Sequence, residues 1–467
     1  MTESSTTRSQ RQDAAERSAR YEQGIEFLFG RINYERRPDL ANGPQSFRLG
    51  RMQSLLHRIG NPQNDLSCVH IAGSKGKGST ATMVAQILET AGLKIGLFTS
   101  PHAHRFEERF TVNGLLPSEE DVNSILDQLQ RVTVEMDAEA SGGPTFFELA
   151  TAAGWLYFKK QQVDLAVIEV GLGGRLDSTN VCHPLVSIIT SISKDHTRLL
   201  GETEALIARE KAGIIKHQIP VISGVLHPEA AAVIHEVADS QNSPIQQLGR
   251  ELKISAAPPD RNSELILPGW SFDFEHGETS FKDLQLSMPG EHQTRNAALA
   301  VAAVMSLKNQ GIHVSESQLR EGLLSARIPL RVELINRKPT LIIDAAHNPA
   351  SIQALCETLE PVPARKKICL FASSRDKDCA ELLRVLDHLF DEFILTAYQE
   401  NPRAIPIEDL EVIAQRILTT PFTTSPNPTS TLQQALTSAS SQDLICATGS
   451  FFLAAEIGKA WKLADHS

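Results

Sequence analysis

The chain has 467 residues, enough for about three domains of ~150 residues or for two larger ones. Its composition, with 41% hydrophobic and 22% charged residues, is that of a globular protein and excludes a disordered or fibrous chain. The 45 Lys and Arg residues against 56 Asp and Glu give a net charge of −11, which excludes a protein that binds nucleic acid mainly by neutralising its phosphates.

The cysteine spacing, the apolar runs and the N-terminus further restrict the class of protein to which the chain can belong. The 6 cysteines are scattered without CxxC spacing, which indicates reduced thiols in a cytoplasmic enzyme rather than disulfides or a zinc site. No run approaches the ~18 to 20 apolar residues of a membrane span, so we expect no membrane contact. The N-terminus lacks the apolar core of a secretory signal, and Glu3, Asp13 and Glu16 weaken an organelle presequence. We predict a disordered tail over residues 1–20, and a monomer.

The first part of the chain reads as a parallel sheet covered by helices, because short runs rich in Val and Ile alternate with segments of helical period. A helix is predicted over residues 79–90, with Gly92 closing its end. The predicted strands are residues 68–72, 94–98, 164–170, 185–192 and 220–223. Residues 240–290, rich in proline, are predicted to be loops and short β pieces of this domain.

A second, smaller α/β series begins after Pro329. Its predicted strands are residues 340–344, 368–372, 392–397 and 443–447, and its amphipathic helices include residues 379–390 and 410–418. Residues 419–431, rich in Thr, Pro and Ser, are predicted to be an exposed loop. We therefore expect an α/β fold with a larger domain over residues 21–328 and a Rossmann-like domain over residues 329–467.

Polar motifs follow the predicted strands of the first domain, where the carboxyl ends of parallel strands meet and ligands bind. A glycine-rich loop, Gly73-Ser-Lys-Gly-Lys-Gly-Ser79, joins the first strand to the helix, so its backbone N–H groups, the helix dipole and Lys77 favour a nucleotide phosphate. The match to GxxxxGK[ST] is imperfect, because Gly78 separates Lys77 from Ser79, and a packing turn is the alternative.

Other candidate residues follow the later strands. Glu169 closes an apolar strand and needs a partner, either magnesium or an ion pair with Arg175 or Arg209. His196 lies at the same edge and is either a ligand or structural. Lys211 lies in a charged run that is typical of a solvated helix face.

In the second domain, Asp344-Ala-Ala-His-Asn-Pro349 follows an apolar strand, as a binding site or as a capping turn. Arg331 could reach a phosphate or form a surface salt bridge.

The motifs of the chain resemble the folylpolyglutamate synthase and dihydrofolate synthase family of Mur-type ligases. In chain order they are Val69-His-Ile-Ala-Gly-Ser-Lys-Gly-Lys-Gly-Ser79, Thr99-Ser-Pro-His102, Glu108-Arg109, Asn113-Gly114, Glu169-Val-Gly-Leu-Gly-Gly-Arg-Leu-Asp-Ser-Thr-Asn180, Asp195-His-Thr197, Arg209-Glu-Lys-Ala-Gly-Ile-Ile-Lys216, Gly290-Glu-His-Gln293 with Asn296, and Asp344-Ala-Ala-His-Asn-Pro349.

This resemblance implies an N-terminal P-loop ATPase domain, a Rossmann-like C-terminal domain and the site residues. ATP would be held by Ser74, Lys75, Gly76, Lys77, Gly78, Ser79, Asn296, Arg331 and Asp344. Magnesium would be held by Ser100, Glu169 and His196, with a second metal on Lys211 once that lysine is carbamylated. The folate acceptor would be held by Arg109, Thr145, Phe146, Phe147, Glu148, Leu176, Asp177 and Ser178. Lys77, His196, Lys211, Arg331 and His347 would take part in catalysis.

The implied reaction joins L-glutamate to a folate, to dihydropteroate or to both, with ATP, two magnesium ions and a place for a monovalent cation. The rival interpretations are another Mur-type amino-acid ligase and a regulatory protein that binds nucleotide without catalysis. The chain departs from the family in three places, the first of which is a dipeptide. Ser74-Lys75 stands where bacterial members usually have Thr-Asn, and Leu330 and Ala345 each stand where the family usually has glycine.

Overall fold

The computed structural model describes residues 18–37, 40, 47–139, 142–258 and 265–465. Most of the tail predicted over residues 1–20 lies outside these ranges, but residues 18–20 are helical and continue as a helix to residue 29. Within the described ranges, no helix combines the length and the apolar character that crossing a membrane requires.

The larger sheet is parallel apart from one edge pair. Its strands within the described residues are β1 Cys68–Ala72, β2 Ile95–Phe98, β3 Phe110–Val112, β4 Leu165–Glu169, β5 Val186–Ile189, β6 Val221–Ser223 and β7 Ile245–Gln247, in the order β3-β2-β4-β1-β5-β6-β7. Only the β2–β3 pair is antiparallel among them. Strands β1, β4 and β5 are buried along their whole length, as expected for a parallel sheet with both faces covered.

Helices and short 3-10 turns connect these strands and cover the sheet. They are Leu49–Arg58, Pro62–Asp65, Lys77–Thr90, Phe106–Arg109, Glu119–Asp137, Phe146–Gln161, Ser178–Val181, Thr197–Leu200, Glu204–Ala212, Pro228–Ser240, His292–Ser306, Leu307–Gln310 and Glu316–Ser325. One buried cluster, which includes Trp155, Phe98, Phe110 and Phe158, forms much of the core on one side.

The region between the sheets is more regular than predicted. Strands β8 Leu252–Ala257, β9 Ser271–His276 and β10 Thr279–Gln285 form a small separate sheet. Two compact units emerge from the contacts, and Ser255–Phe274 and Phe281–Arg295 belong to the second of them rather than to the first. The last division along the chain falls between Leu323 and Leu324, before the predicted join at 328/329.

The sheet of the second unit is also mainly parallel. Its strands within the described residues are β11 Glu333–Arg337, β12 Thr340–Ile343, β13 Lys367–Phe371, β14 Glu392–Leu395, β15 Phe422–Thr424 and β16 Leu444–Thr448, in the order β11-β12-β16-β13-β14-β15. Its helices are Pro349–Leu359, Cys379–Asp387, Ile407–Ile417, Pro428–Ser438 and Phe451–Asp465. The prediction of an exposed loop over residues 419–431 is wrong, because β15 pairs with β14 and a helix begins at Pro428.

Candidate active site

The glycine-rich loop lies between β1 and the helix Lys77–Thr90, as the sequence predicts. Gly76 precedes the helix with a φ of 81°, and a β carbon there would stand 2.2 Å from Oδ1 of Asn296. Only glycine fits this combination of left-handed backbone and close contact. Asn296, which the resemblance assigns to ATP, is therefore brought against the loop.

Hydrogen bonds join this loop to the segment that follows β5. Ser74 N donates to Ser191 O at 2.8 Å, and Ser74 Oγ donates to Ser193 O at 3.1 Å. Lys75 is bound at both ends, because its backbone N donates to Ser191 Oγ at 3.0 Å and its Nζ forms an ion pair with Asp195 at 2.6 Å. The loops after β1 and β5 thus form one surface.

Two lysines bind the same carbonyl group at the start of the loop. Lys77 Nζ donates to Gly73 O at 3.2 Å, and Lys211 Nζ donates to the same oxygen at 2.9 Å. Lys211 is 4% exposed, so the solvated helix face that its charged run suggests does not exist here. Burial, followed by the positive charge of Lys77, lowers the pKa of Lys211 to about 7. A concentration of positive charge at this point suits an anionic ligand.

Glu169 lies beside the same loop at the end of β4. Its carboxylate accepts the backbone N–H of Ser100 at 3.1 Å and stands 3.5 Å from the position of a β carbon on Gly78. The two arginines considered as ion-pair partners contact other carboxylates, since Arg175 pairs with Glu210 and Arg209 with Glu236, each at 2.8 Å.

A magnesium ion fits the chemistry of this corner. Glu169 is 5% exposed, and oxygen atoms such as those of a carboxylate are the ligands that Mg²⁺ prefers. Among the described residues, no group of three or more His, Cys, Asp or Glu side chains could hold a metal ion by itself. Oxygens from a bound nucleotide would have to complete the coordination, as is common for magnesium.

His196 lies at the same edge but faces solvent. Its side chain is 47% exposed, its backbone has a φ of 50°, and its Nε2 lies 3.8 Å from Asp195 Oδ1. Asp195 also accepts the backbone N–H of His196 at 3.0 Å. Lys75, Asp195 and His196 are therefore connected by direct contacts.

Several residues that the resemblance assigns to the folate acceptor have partners within the protein. Arg109 is 1% exposed, and its Nη2 and Nε bind Glu35 at 2.5 Å and His102 Nδ1 at 2.7 Å. Thr145 and Glu148 form a capping box at the start of the helix Phe146–Gln161, and Glu148 also binds Arg51 at 2.8 Å.

The two phenylalanines of this stretch differ in their surroundings. Phe146 is buried and stacks on Phe29 with ring centroids 5.2 Å apart. Phe147 is half-buried and lies where a β carbon on Gly171 would be 2.3 Å from its Cζ. Of the residues from Thr145 to Glu148, Phe147 is therefore the one placed beside the glycine-rich segment after β4.

The segment with Leu176, Asp177 and Ser178 borders an apolar hollow. Leu172, Leu176, Leu199 and Phe47 contribute to the lining of the hollow. Asp177 is buried, and its Oδ2 accepts the backbone N–H of Leu172 at 2.8 Å. Burial raises the pKa of Asp177, and the hydrogen bonds that its carboxylate accepts from Leu172 and Thr179 oppose that change. Ser178 begins the short helix Ser178–Val181.

The candidate residues of the second unit lie around the end of β12, with Arg331 contributed by the segment before β11. Asp344 is buried and accepts the backbone N–H groups of Val332 and Ala346, each at 2.8 Å. Burial raises the pKa of Asp344, and the nearby Arg331 opposes that change. His347 Nδ1 lies 2.9 Å from Ala345 O. Arg331, Asp344 and His347 therefore belong to one local cluster.

Sequence reasoning placed the segment from Ser191 to His196 at this edge, but it assigned no role to the residues that hold these groups in place. Thr190 and Ser191 bind Lys75 O at 2.6 and 3.0 Å, and Glu35 binds Arg109. A weak signal existed only for Thr190 and Ser191, because hydroxyl residues follow an apolar run there. Nothing in the local sequence around Glu35 indicates its contact with a residue 74 positions away.

Comparisons with known proteins identify the family. The Mur ligase middle domain matches residues 71–304, and the Mur ligase glutamate ligase domain matches residues 330–451. A Bacillus subtilis dihydrofolate synthase/folylpolyglutamate synthase is 34% identical over 445 residues, covering 95% of this chain and 99% of the relative. The chain belongs to the folylpolyglutamate and dihydrofolate synthase family of Mur ligases. It is accordingly an ATP-dependent ligase.

Solved structures of family members share the fold. Mycobacterium tuberculosis folylpolyglutamate synthase complexed with ADP superimposes with a TM-score of 0.84 at 28% identity, covering 95% of this chain and 98% of that one. Escherichia coli FolC in complex with DHPP and ADP has a TM-score of 0.78 at 29% identity, covering 90% of this chain and 94% of that one. The α/β Mur ligase fold expected from the sequence is thereby confirmed.

Proposed function

We propose that this protein joins L-glutamate to the carboxylate of a folate, and of dihydropteroate, with conversion of ATP to ADP and phosphate. The observation that carries the proposal is the glycine-rich loop, where the side chains of Lys77 and Lys211 both bind the Gly73 carbonyl. The loop, the helix that follows it and the ammonium group of Lys77 together suit a triphosphate. The identities of the acceptor and of the amino acid are inferred from membership in the family.

The reaction needs ATP because a carboxylic acid and an amine transfer a proton at neutral pH and exist as a carboxylate and an ammonium ion, which do not react with each other. In the proposed route, an oxygen of the acceptor carboxylate attacks the γ-phosphorus of ATP, the bond between that phosphorus and the β,γ-bridging oxygen breaks, and the products are an acyl phosphate and ADP. The amine of L-glutamate then attacks the acyl carbon and displaces phosphate. Lys77 would stabilise the charge that develops on the transferred phosphoryl group, with Arg331 as a second cation.

Glu169 and Ser100 are the proposed magnesium ligands of the chain, together with His196. When bound, the ion would offset negative charge on the phosphate oxygens. Because the pKa of Lys211 is lowered to about 7, part of the Lys211 population is unprotonated at neutral pH. The unprotonated amine can react with carbon dioxide to form the carbamate that the resemblance implies. The added carboxylate would supply oxygens for a second ion.

The remaining roles are those that the resemblance implies. We assign ATP to Ser74, Lys75, Gly76, Gly78, Ser79, Asn296, Arg331 and Asp344. Phe147, Leu176 and Ser178 are proposed to contact the acceptor, while Arg109, Thr145, Phe146, Glu148 and Asp177 hold the acceptor region in shape. His347 is assigned to the incoming glutamate.

The test offers the purified protein MgATP and L-glutamate with either dihydropteroate or a reduced folate, following ADP release and product mass. We expect ADP release to require both acceptor and glutamate, and the product to gain one glutamyl residue. The Lys77→Ala variant should lose on the order of 10²-fold or more in rate, because a positioned cation at the phosphoryl group is removed. The proposal would be contradicted if ADP were released at the same rate without glutamate, or if the mass of the acceptor were unchanged after the reaction.

A further inference from the structure

His70 is a polar residue in the middle of the most central strand of the larger sheet. It is fully buried, and its backbone is paired on one side with Ile168 of β4 and on the other with Ser187 of β5. A histidine in such a strand needs a hydrogen-bond partner, since burying an unpaired polar group is unfavourable. Its Nε2 lies 2.9 Å from Thr179 Oγ1.

The contacts of Thr179 decide which atom carries the proton. Thr179 Oγ1 lies 2.5 Å from Asp177 Oδ1, which also accepts the Thr179 backbone N–H at 3.0 Å. A carboxylate only accepts, so the threonine hydroxyl donates to Asp177. The hydroxyl oxygen is then free to accept, and His70 must be the donor through its Nε2–H.

The chain of hydrogen bonds continues to the wall of the hollow. The second oxygen of Asp177 accepts the backbone N–H of Leu172, and Leu172 and Leu176 both line the hollow. Asn180 also holds the backbone next to Leu176, because its Nδ2 donates to Arg175 O and Gly213 O, each at 3.0 Å. The direction of Asp177 therefore fixes the backbone that shapes this wall.

We propose that His70 and Thr179 are positioning residues that orient Asp177 and thereby set the affinity of the enzyme for its folate acceptor. This inference rests on the proposed function, in which the segment from Leu176 to Ser178 contacts the acceptor. Neither residue touches the reacting atoms. Both act by holding the loop in the shape that the acceptor meets.

The position of His70 allows this role to be separated from a general contribution to the fold. Strand β1 ends at Ala72 and leads directly into the glycine-rich loop at Gly73. If His70 mattered only for the integrity of β1, its loss would disturb ATP binding at least as much as acceptor binding. If it acts through Thr179 and Asp177, the change falls on the acceptor.

The experiment measures KM for the folate acceptor, KM for ATP and kcat in glutamate-dependent ADP formation. In Thr179→Val, which keeps the shape but lacks the hydroxyl, and in His70→Leu, we expect KM for the acceptor to rise about tenfold, the effect of losing one buried hydrogen bond. KM for ATP and kcat should change by about twofold or less.

Conservative variants and a distant histidine serve as controls. Thr179→Ser keeps the hydroxyl and His70→Gln keeps a side-chain N–H donor, so both should restore acceptor KM to near the wild-type value. His235→Gln alters a half-buried histidine bonded to Gln247 on the helix Pro228–Ser240 and should leave all three constants unchanged.

Two results would overturn the inference in an active wild-type enzyme. One is an unchanged acceptor KM in Thr179→Val, and the other is a rise in KM for ATP that equals the rise for the acceptor. A wild-type protein without acceptor-dependent ADP formation would instead contradict the proposed function. Thr179→Val keeps the test available if His70→Leu fails to fold.

Discussion

The carbonyl oxygen of Gly73 accepts hydrogen bonds from the side chains of both Lys77 and Lys211. This contact concentrates positive charge at one point of the glycine-rich loop. Two like charges at one acceptor repel, and Lys75 nearby adds a third, while Asp195 offsets part of the charge. A bound triphosphate would relieve that repulsion. Like charges that are held close together lower the stability of the protein without ligand and favour the binding of an anion. These side chains are therefore suited to binding rather than to stability.

A second feature at the scale of single residues is the neutral side chain of His102. Its Nδ1 accepts a hydrogen bond from Arg109 Nε at 2.7 Å. Burial, followed by the charge of Arg109, lowers the pKa of His102 to about 2. The unfolded chain takes up this proton near pH ~6.5, so the unfolded state binds more protons between these values. The free energy of unfolding should fall as the pH falls through this window.

His102→Asn tests this dependence. The asparagine oxygen can accept from Arg109 in place of Nδ1, but it does not become protonated. We expect the variant to lose less stability than the wild type between about pH 7.5 and about pH 5, measured by urea unfolding. Carboxylates titrate equally in both proteins and cancel in the difference. Parallel pH dependences would show that His102 does not contribute.

Backbone conformation adds a further finding at this scale. Leu330 has a φ of 59° and Val332 a φ of 46°, on either side of Arg331. Left-handed backbone costs residues other than glycine about 1–2 kcal/mol each. The glycine that the family usually has at the position of Leu330 would avoid this cost, while Leu330, which is 2% exposed, contributes apolar burial instead.

At the scale of elements, the helix Phe146–Gln161 shows how a stretch assigned to ligand binding can serve a helix terminus. Glu148 N donates to Thr145 Oγ1 at 3.3 Å, and Thr145 N donates to Glu148 Oε2 at 2.7 Å. These reciprocal bonds satisfy backbone groups that have no partner within the helix. The helix buries Trp155 and Phe158 against the sheet, so its start affects the whole cluster.

Thr145→Ala should therefore lower the free energy of unfolding by about 1 kcal/mol, because the N-cap acceptor is lost. Thr145→Ser keeps that acceptor and should remain close to the wild type. Urea unfolding of the three proteins gives the comparison. An Ala variant with unchanged stability but a raised KM for the folate acceptor would return Thr145 to the group of acceptor contacts.

At the scale of the whole molecule, each of the two units has its own sheet and its own hydrophobic core. A protein built in this way need not unfold in one step. The glycine-rich loop, Lys77 and Lys211 all lie in the first unit. Nucleotide binding should therefore act first on the transition of that unit.

Thermal unfolding with MgADP tests this expectation. A ligand that binds only the folded state adds about 2.7 kcal/mol at a concentration of about 100 Kd, so we expect the transition of the first unit to move to higher temperature. In Lys77→Met the shift should be largely lost, because the cation near the phosphates is gone. An equal shift in the variant would remove Lys77 from the nucleotide site.

The sequence by itself determined the central strands of the two sheets and the place of the glycine-rich loop, but not β3, β11 or β15. Strands β1, β4, β12 and β13 match their predicted ranges within one or two residues, because buried parallel strands are short apolar runs and the loops after them are marked by glycine. The family motifs were likewise readable, since each lies within a dozen consecutive residues.

Only the tertiary structure decided what the charged and polar side chains do. Lys211 binds Gly73 across 138 residues and His70 binds Thr179 across 109, and no local pattern encodes either contact. The same holds for β15, whose polar residues form a strand because β14 supplies the hydrogen-bond partners. Apolar periodicity is a local property, whereas burial and hydrogen bonding of a side chain depend on which distant segments pack around it.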